Sequence, residues 1–327
     1  MKVLVTGANG FVGSHVLDCL LAQNISTAIL LRETSNRRFI ASQISRVDVR
    51  LGSINDADSV ARALDGVTHV IHCAGLTRAC RPGEFFTGNH IGTRNVVEAV
   101  NRQGGRIERL VHISSLAAIG PATPEQPARE DDPPHPVSEY GESKLVAERE
   151  VTGHCRSDFV VLRPPAVFGP RDDGFLQLFQ TVKRRIIPRF LGGIRAMSFV
   201  YVEDLAAAVM TCLTHPAAVG KAFFVSGRET IAPHGFARLI AEQMGVRAFT
   251  LPLPTVALWP VCALQEMVAR ATGVPTIVNR QKYAEMTAPG WVCDPTRLRE
   301  VLGITCNTTL ADGVARTLEW YRRERWL

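Results

Sequence analysis

A tyrosine and a lysine stand four residues apart, at Tyr140 and Lys144. On a helix this spacing puts both side chains on one face, because residues i and i+4 are neighbours there. A nearby ammonium favours the phenolate, so it is expected to lower the pKa of the tyrosine from about 10 towards neutrality. The pair is therefore a candidate general acid and base, although the same spacing also occurs on ordinary solvated helix faces.

Two serines, Ser114 and Ser115, end an apolar run upstream of the tyrosine. The run predicts a buried strand, and open α/β sheets bind ligands at the carboxyl ends of their strands. A serine hydroxyl at that edge can hydrogen-bond a substrate oxygen while the tyrosine exchanges a proton with it. Serines in this position could equally cap the strand end, so the sequence leaves both roles open.

A glycine-rich turn near the start of the chain is the candidate nucleotide site. Gly7, Gly10 and Gly13 have GxxGxxG spacing, directly after an apolar run and before a helical pattern. Glycines at a βα turn bring a helix N-terminus against a pyrophosphate, where free N–H groups and the helix dipole favour negative charge. We predict that this turn binds a dinucleotide.

The residues after the second predicted strand indicate which dinucleotide binds. An acidic residue there would chelate the adenosine ribose, whereas a basic one would accept a 2′-phosphate. Arg32 takes the place of that acid, and Arg37 is near enough to help. The sequence therefore favours NADP(H), and Glu33 keeps the use of NAD(H) open.

The candidate residues lie on a repeated strand–helix pattern. Strands are predicted at Lys2–Thr6, Ser26–Leu31, Val47–Leu51, His69–Cys73, Leu110–Ser114 and Phe159–Arg163, and helices are predicted to begin near Phe11, Ala57, Phe85 and Tyr140. Repeated βαβ units with right-handed crossovers leave few topologies besides a doubly wound sheet. We therefore predict an α/β fold, a Rossmann doubly wound parallel sheet.

After Arg163, prolines and glycines interrupt short helical stretches and the regular alternation ends. We predict a nucleotide-binding Rossmann domain over residues 1–168, with 196–226 returning to it, and a smaller C-terminal substrate-binding lobe made of 169–195 and 227–327. The lobe holds the apolar stretch Leu251–Leu264, which is shorter than the about 20 residues that cross a bilayer. This stretch is interpreted as lobe core, as the wall of an apolar pocket or as a membrane-facing lip.

Composition narrows the function classes. Of the 327 residues, 46% are hydrophobic and 21% are charged, which is typical of a globular protein. The net charge is +6, but the basic residues are scattered along the sequence and no known nucleic-acid-binding motif is present. No nucleic-acid partner is therefore expected.

The eight cysteines form no CxxC pair and the histidines form no HExxH motif, so no metal site is expected. Free thiols are typical of proteins in a reducing cytoplasm. The N-terminus enters a strand directly, without the pattern of a signal peptide.

Seven segments, in order, resemble the extended short-chain dehydrogenase/reductase family. They are TGANGFVG at Thr6–Gly13, HCAG at His72–Gly75, NHIGTRNVVEA at Asn89–Ala99, ISSLAAIG at Ile113–Gly120, YGESK at Tyr140–Lys144, LRPPAVFGPRD at Leu162–Asp172 and FVYVEDLA at Phe199–Ala206. The family includes nucleotide-sugar epimerases and dehydratases, 3β-hydroxysteroid dehydrogenases and dihydroflavonol-type reductases. The resemblance covers essentially the whole chain and implies a homodimer paired through the predicted helices Phe85–Asn101 and Tyr140–Val151.

The resemblance also implies a role for each matching residue. Ser115 would be the catalytic serine, Tyr140 the acid and base, and Lys144 the residue that tunes Tyr140 and holds the nicotinamide ribose. Cofactor contacts would come from Gly7, Asn9, Gly10, Phe11, Val12, Gly13, Ser53, Ile54, Cys73, Ala74, Gly75, Thr77, Pro164 and Val167, together with Arg32 and Arg37. The family often has Asp where Ser53 stands.

The residues beside the catalytic serine indicate the reaction. Sugar dehydratases of the family commonly place an acidic pair there, whereas Leu116 and Ala117 follow Ser115. We therefore predict an NADP(H)-dependent oxidoreductase that interconverts a ketone and a secondary alcohol on an apolar substrate, such as a 3-oxo sterol or lipid, with peripheral contact to a membrane.

Two alternatives stay open. A nucleotide-sugar epimerase or reductase is the first, because basic residues that could bind a diphosphate follow the predicted sixth strand, at Arg171, Lys183, Arg184, Arg185, Arg189 and Arg195. The second is a non-catalytic protein that senses a dinucleotide, which retention of the whole serine, tyrosine and lysine set disfavours.

Overall fold

The computed structural model describes residues 1–81, 83–272 and 280–327. The strands are β1 (Lys2–Thr6), β2 (Ser26–Leu31), β3 (Asp48–Leu51), β4 (His69–His72), β5 (Arg109–Ile113), β6 (Asp158–Arg163), β7 (Ala166–Phe168), β8 (Ile186–Leu191), β9 (Met197–Tyr201), β10 (Lys221–Phe224), β11 (Thr230–Ile231) and β12 (Phe249–Pro254). The helices are α1 (Phe11–Ala22), α2 (Ala57–Ala63), α3 (Gly92–Arg102), α4 (Glu139–His154), α5 (Leu176–Lys183), α6 (Val202–Thr214), α7 (Pro233–Met244), α8 (Leu258–Thr272), α9 (Arg280–Thr287), α10 (Thr296–Leu302) and α11 (Leu310–Arg323). A π-helical turn over Phe86–Ile91 leads into α3.

Within the described ranges, the central sheet has seven parallel strands in the order β10-β6-β5-β4-β1-β2-β3. The chain builds outward from β1 to β3 and then returns to β4 on the other side of β1. The strand order therefore reverses between β1 and β4, and a crevice forms at their carboxyl ends. This architecture confirms the predicted Rossmann fold.

The inner strands of the sheet are mostly apolar because helices cover both of its faces, whereas the edge strand β3 is exposed or half-buried. Side chains alternate between the faces, so Val3 and Val5 of β1 pack with α1 and α6, whereas Leu4 packs with α2 and α3. All three side chains are fully buried. This packing holds the carboxyl ends of the strands in fixed positions for the site.

Helices α2 and α4 begin where polar side chains cap them. Asp56 accepts the N–H groups of Asp58 and Ser59 at the start of α2, and Ser138 accepts that of Gly141 at the start of α4. The predicted starts of α2 and α4 therefore agree with the structure, and α4 begins one residue before Tyr140.

In the part of the chain that is described, residues after β6 build two smaller sheets. Strand β9 pairs with β7 and β11, and β8 forms a two-stranded parallel ribbon with β12. Strand β10 returns to the central sheet beside β6, and α6 packs on α1. The division of the chain into a nucleotide-binding domain and a substrate-binding lobe stays a prediction.

The apolar stretch Leu251–Leu264 is distributed over β12, a short 3-10 helix and the first half of α8. Three of its large side chains, those of Val256, Trp259 and Leu264, are 71%, 50% and 57% exposed and are therefore not lobe core. Outside the undescribed positions, no helix is both long enough and apolar enough to span a membrane.

Asp172, in the loop after β7, is a buried acid that makes stability depend on pH. Burial raises its pKa to about 7, although its carboxylate accepts the N–H groups of Gly174 at 2.7 Å and Phe175 at 3.2 Å. The folded protein thus keeps a proton that the unfolded chain releases above about pH 4, so the free energy of unfolding falls as the pH rises towards 7. We expect Asp172→Asn to flatten this fall in urea unfolding between about pH 4 and pH 8. Identical pH profiles for the two proteins would contradict this prediction.

Candidate active site

The glycine turn lies between the carboxyl ends of β1 and β4, where the strand order reverses. Gly7 has a φ of +73°, and a Cβ there would lie 2.6 Å from the backbone nitrogen of Ala74, in the loop after β4. A Cβ at Gly13 would lie 2.1 Å from the carbonyl oxygen of Gly7. Only glycine permits such contacts, and they bring the turn against both the loop after β4 and the first turn of α1.

The N-terminus of α1 fits a pyrophosphate group. Gly10 is the N-cap residue and offers no side chain to cap the helix, which begins at Phe11. The first N–H groups of a helix, here including those of Phe11 and Val12, have no intrahelical acceptor. These donors and the helix dipole suit a bound phosphate. Asn9 donates to the carbonyl of Asn36 at 3.1 Å and so ties the turn to the loop after β2.

Three arginines in the loop after β2 differ in what they contact. The guanidinium carbon of Arg38 lies 4.3 Å from the ring centre of Phe39 and 4.7 Å from that of Trp326. All three side chains are exposed, but Arg38 packs on these rings. The contact of Arg32 and Arg37 with a nucleotide stays a prediction.

Ser53 and Ile54 follow β3 on the same edge of the sheet. The hydroxyl of Ser53 accepts the N–H of Asn55 at 3.2 Å, and Asn95 donates to the carbonyl of Ile54 at 2.8 Å. The structure brings both residues to the expected side of the crevice. The Ser53 hydroxyl, however, helps to close its own turn.

Asn89 fixes the loop after β4 to α4. Its amide nitrogen donates to the carbonyl of Leu76 at 3.0 Å and to the hydroxyl of Ser143 at 2.9 Å, and its oxygen accepts the Leu76 N–H at 2.7 Å. These bonds hold the neighbouring Gly75 beside the catalytic helix. Sequence reasoning did not single out Asn89, although it is the first residue of the NHIGTRNVVEA motif.

Four further predicted cofactor residues also follow strands of the central sheet or border its edge. Cys73 directly follows β4, and Thr77 is exposed farther along the same loop. The carbonyl of Pro164 accepts the N–H of Leu116 at 2.9 Å, and Val167 lies in β7. All four positions therefore lie beyond the ends of β4 and β6.

The side chains of Ser115 and Tyr140 interact, and this interaction acts to lower the pKa of Tyr140. Ser115 begins a short 3-10 helix, and its hydroxyl also accepts the N–H of Ala117 at 3.1 Å. The ring of Tyr140 packs edge-on against that of Phe85, with 5.8 Å between the ring centres. Two hydroxyls held in this way can bind a single substrate oxygen.

Ser114 has a structural partner. Its hydroxyl donates to Glu148, whose carboxylate accepts hydrogen bonds from Arg163, the shortest at 2.7 Å. Arg163 also donates to the carbonyl of Glu130 at 2.8 Å, and such added bonds offset the cost of burying an ion pair. Of the two serines at the strand end, Ser115 is therefore the one placed for a ligand.

Lys144 is buried on α4, and its ammonium donates to the carbonyl of Ile113 at 2.8 Å. Burial lowers the pKa of Lys144 to about 8. Burial also raises the pKa of Tyr140 to about 12, while its interaction with Ser115 acts in the opposite direction and the charge of Glu285 adds to the rise. The prediction of a lowered tyrosine pKa is thus wrong here, because loss of water around the phenol and the charge of Glu285 outweigh the interaction with Ser115.

Two buried histidines, His72 and His112, lie near Lys144. His72 is hydrogen-bonded to Thr6 at 2.7 Å and Thr93 at 3.0 Å, and its ring centre lies 5.3 Å from that of His112. Burial lowers the pKa of His72 to about 3 and that of His112 well below its usual value. Both rings are therefore neutral at pH 7, so they add no positive charge beside Lys144.

The side of Tyr140 that faces the C-terminal residues is apolar. Its ring packs with a buried cluster formed by Leu116, Ala117, Ile119, Ala128, Phe224, Ala288, Trp291 and Cys293. Glu285 of α9 accepts the Ser138 hydroxyl at 2.8 Å, and its carbonyl accepts the Trp291 indole N–H at 3.0 Å. These contacts attach α9 to the start of the catalytic helix.

Comparison with known proteins is consistent with this geometry. The family model described as NAD dependent epimerase/dehydratase matches residues 3–226. The chain is 27% identical to a ceramide reductase of Caulobacter vibrioides, over 99% of this chain and 96% of that protein. It is 26% identical to the decarboxylating sterol-4-alpha-carboxylate 3-dehydrogenase of Homo sapiens, over 99% and 89% of the two chains. The structure of Thermus thermophilus UDP-glucose 4-epimerase complexed with NAD is similar with a TM-score of 0.78 and 25% identity, over 98% and 99%.

These relatives align along nearly the full length of the chain, and the family match includes the glycine turn and the tyrosine–lysine pair. These relatives are a reductase, a dehydrogenase and an epimerase, so they share the family while their substrates differ. The chain therefore belongs to the NAD-dependent epimerase/dehydratase family, and it is an NAD(P)-dependent oxidoreductase of the extended short-chain dehydrogenase/reductase type.

Proposed function

We propose that the enzyme uses NADP(H) to interconvert a ketone and a secondary alcohol on an apolar substrate, such as a 3-oxo or 3-hydroxy sterol or lipid. The observation that carries this proposal is the interaction of the Ser115 and Tyr140 side chains beside the apolar cluster around Leu116 and Trp291. Two hydroxyls can hydrogen-bond one substrate oxygen, and an apolar wall can contact the hydrocarbon around that oxygen.

The three catalytic residues have distinct roles in this proposal. The bound nicotinamide supplies or accepts the hydride. Tyr140, which is protonated at neutral pH, donates its proton to the carbonyl oxygen during reduction and receives it during oxidation. Ser115 orients the same oxygen. Lys144 stabilises the phenolate that Tyr140 becomes, and it holds the nicotinamide ribose.

The cofactor is proposed to lie along the carboxyl edge of the central sheet. Its contacts would be Gly7, Asn9, Gly10, Phe11, Val12 and Gly13 in the glycine turn, Arg32 and Arg37 after β2, Ser53 and Ile54 after β3, Cys73, Ala74, Gly75 and Thr77 after β4, and Pro164 and Val167 beyond β6. The close approach of Gly7 to Ala74 supports this placement, because side chains there would fill the cradle.

We expect Arg32→Ala/Arg37→Ala to raise the KM for NADPH about tenfold or more and to change the KM for NADH little. Hydrogen bonds from a guanidinium to a 2′-phosphate contribute about 1.5–3 kcal/mol, and NADH lacks that group. Steady-state kinetics with each cofactor test this. Arg38→Ala, which removes a charge packed on Phe39, is the matched control. Equal losses with both cofactors would refute the NADP(H) preference.

A nucleotide-sugar epimerase or reductase is the alternative, favoured by the likeness to UDP-glucose 4-epimerases. Two of the arginines available to a sugar diphosphate already have acidic partners. Arg171 pairs with Asp18 at 2.7 Å, and Arg195 lies 3.6 Å from Glu125. The apolar substrate is therefore the better supported of the two.

Absorbance of the reduced nicotinamide tests the proposed reaction. NADPH and NADH are offered separately with sterol, acyl and nucleotide-sugar ketones, and we expect NADPH to be oxidised with the apolar ketones. A rise in melting temperature with the same compounds reports selective binding to the folded enzyme. Binding and turnover confined to UDP- or GDP-sugars would establish the alternative. Cofactor binding with no turnover of any ketone would favour a sensor.

We propose a homodimer in the cytoplasm with α3 and α4 at the two-fold axis, as the family resemblance implies. Light scattering would measure its mass. We also propose that the enzyme meets its apolar substrate at a lipid surface.

A further inference from the structure

A strip of exposed apolar side chains runs from β12 onto α8. Among the described residues, seven of the twelve large hydrophobic side chains that are exposed fall within residues 249–268. We name six of these the apolar face: Phe249, Leu251, Val256, Trp259, Leu264 and Met267, whose exposure ranges from 36% to 71%. Clustering of this kind on one segment marks a surface for interaction, since scattered exposed residues would need no explanation.

The apolar face is connected to the catalytic helix. On α8, Leu264 and Met267 are one turn apart and exposed, whereas Cys262 is buried on the other side of the helix. Helix α8 packs on α9, and Glu285 of α9 bonds to Ser138 at the start of α4. A membrane or protein bound to the apolar face would therefore lie near α9, which contacts the start of α4.

Basic residues flank the apolar face. Lys183 and Arg184 precede β8, Arg189 lies within it, and Arg247 precedes β12, and all four side chains are exposed. The parallel pairing of β8 with β12 brings these basic residues close to the apolar face, because Arg189 lies opposite Pro252 in the two-stranded ribbon. Segments 183–191 and 246–264 contain no Asp or Glu. The surface thus combines apolar side chains with Lys and Arg, and Glu266 is the one acidic residue in the sequence between Phe249 and Met267.

We propose that the apolar face and its basic flank dock the enzyme on a membrane surface that contains anionic phospholipid. Anionic leaflets attract Lys and Arg, and the apolar side chains of a surface-bound helix enter the boundary between head groups and acyl chains. The proposal rests on the proposed function for its purpose, since an apolar ketone is dissolved in the bilayer and would reach the site from there. The charge is what favours a lipid surface over a second copy of this equally basic chain.

Co-sedimentation with vesicles tests the proposal on the whole protein. We expect binding to equimolar phosphatidylcholine–phosphatidylglycerol vesicles, weaker binding to pure phosphatidylcholine, and loss of binding as salt is raised. Arg184→Gln/Arg247→Gln removes two charges of the flank and is expected to lower the partition coefficient about 25-fold, from about fivefold per charge. Leu264→Ser/Met267→Ser is expected to weaken binding to both kinds of vesicle.

A control pair separates this effect from net charge. Arg106→Gln/Arg156→Gln removes two exposed charges near the starts of β5 and β6, at the opposite end of the central sheet, and is expected to bind as the unaltered protein does. Equal binding of all variants, or no binding to either vesicle, would overturn the proposal. So would light scattering in which Leu264→Ser/Met267→Ser splits an oligomer, because a second copy would then cover the face. Vesicle binding is measured without substrate, so its failure is distinct from a failure to reduce ketones.

Discussion

Tyr140→Phe is expected to lower kcat for ketone reduction by about two to four orders of magnitude, the usual contribution of a positioned general acid. The phenol is the group that holds a proton beside Ser115, and burial raises its pKa to about 12, so it is protonated throughout the neutral range. Phenylalanine keeps the ring contact with Phe85 but has no proton to give. Rates of reduced-nicotinamide oxidation under saturating cofactor measure the loss.

A second tyrosine provides the control for this variant. Tyr201 is also buried, with a pKa raised to about 12 by burial, but it lies in β9 and in a different core cluster. Tyr201→Phe is expected to retain kcat, and Tyr140→Phe to retain the Kd for NADPH and the melting temperature. Undiminished turnover in Tyr140→Phe would show that the phenol takes no part in the reaction. It would favour the alternative of a protein that only senses a dinucleotide.

Lys144→Met is expected to lower kcat in both directions and to move alcohol oxidation to higher pH. Oxidation needs Tyr140 as the phenolate, so its rate rises with pH towards the tyrosine pKa, and in the proposed mechanism loss of the Lys144 cation raises that pKa further. Lys144 itself, with a pKa lowered to about 8 by burial, loses its charge as the pH rises through that value. Its electrostatic help is therefore greatest below about pH 8.

The pH profile distinguishes this role from a structural one. Lys221→Met is the matched control, because the Lys221 ammonium also donates to a backbone carbonyl, that of Ala217, at 2.7 Å but lies outside the site. We expect the oxidation profile of Lys221→Met to match that of the unaltered enzyme. A uniform loss of rate in Lys144→Met, with no shift of the profile, would mean that Lys144 only supports the fold around Ile113.

The nucleotide-binding elements could be predicted because their signals are local. Glycines at 7, 10 and 13 define the turn, a side chain at Gly7 or Gly13 would collide with backbone atoms, and the helix after the turn begins at Phe11 as expected. The strands of the central sheet are short apolar runs, since both faces are covered. Each of these features depends on neighbours within a few residues.

The surroundings of the site depend on contacts between distant residues. Glu285 bonds to Ser138 across 147 positions of the chain, and no spacing in the sequence indicates that pair. The pKa of Tyr140 follows from the depth of burial, which pattern reasoning did not provide. The apolar composition of Leu251–Leu264 fits a core strand as well as an exposed face, so only the structure shows that Val256 and Leu264 are exposed.

The central claim is that Tyr140 exchanges a proton with a substrate oxygen that Ser115 also binds. The most direct measurement is a crystal structure of the enzyme with NADP⁺ and a bound secondary alcohol. We expect the alcohol oxygen to lie about 2.6–3.2 Å from both the Tyr140 and the Ser115 hydroxyl oxygens. An alcohol oxygen beyond the reach of Tyr140, or a phenol turned away from the crevice, would contradict the mechanism.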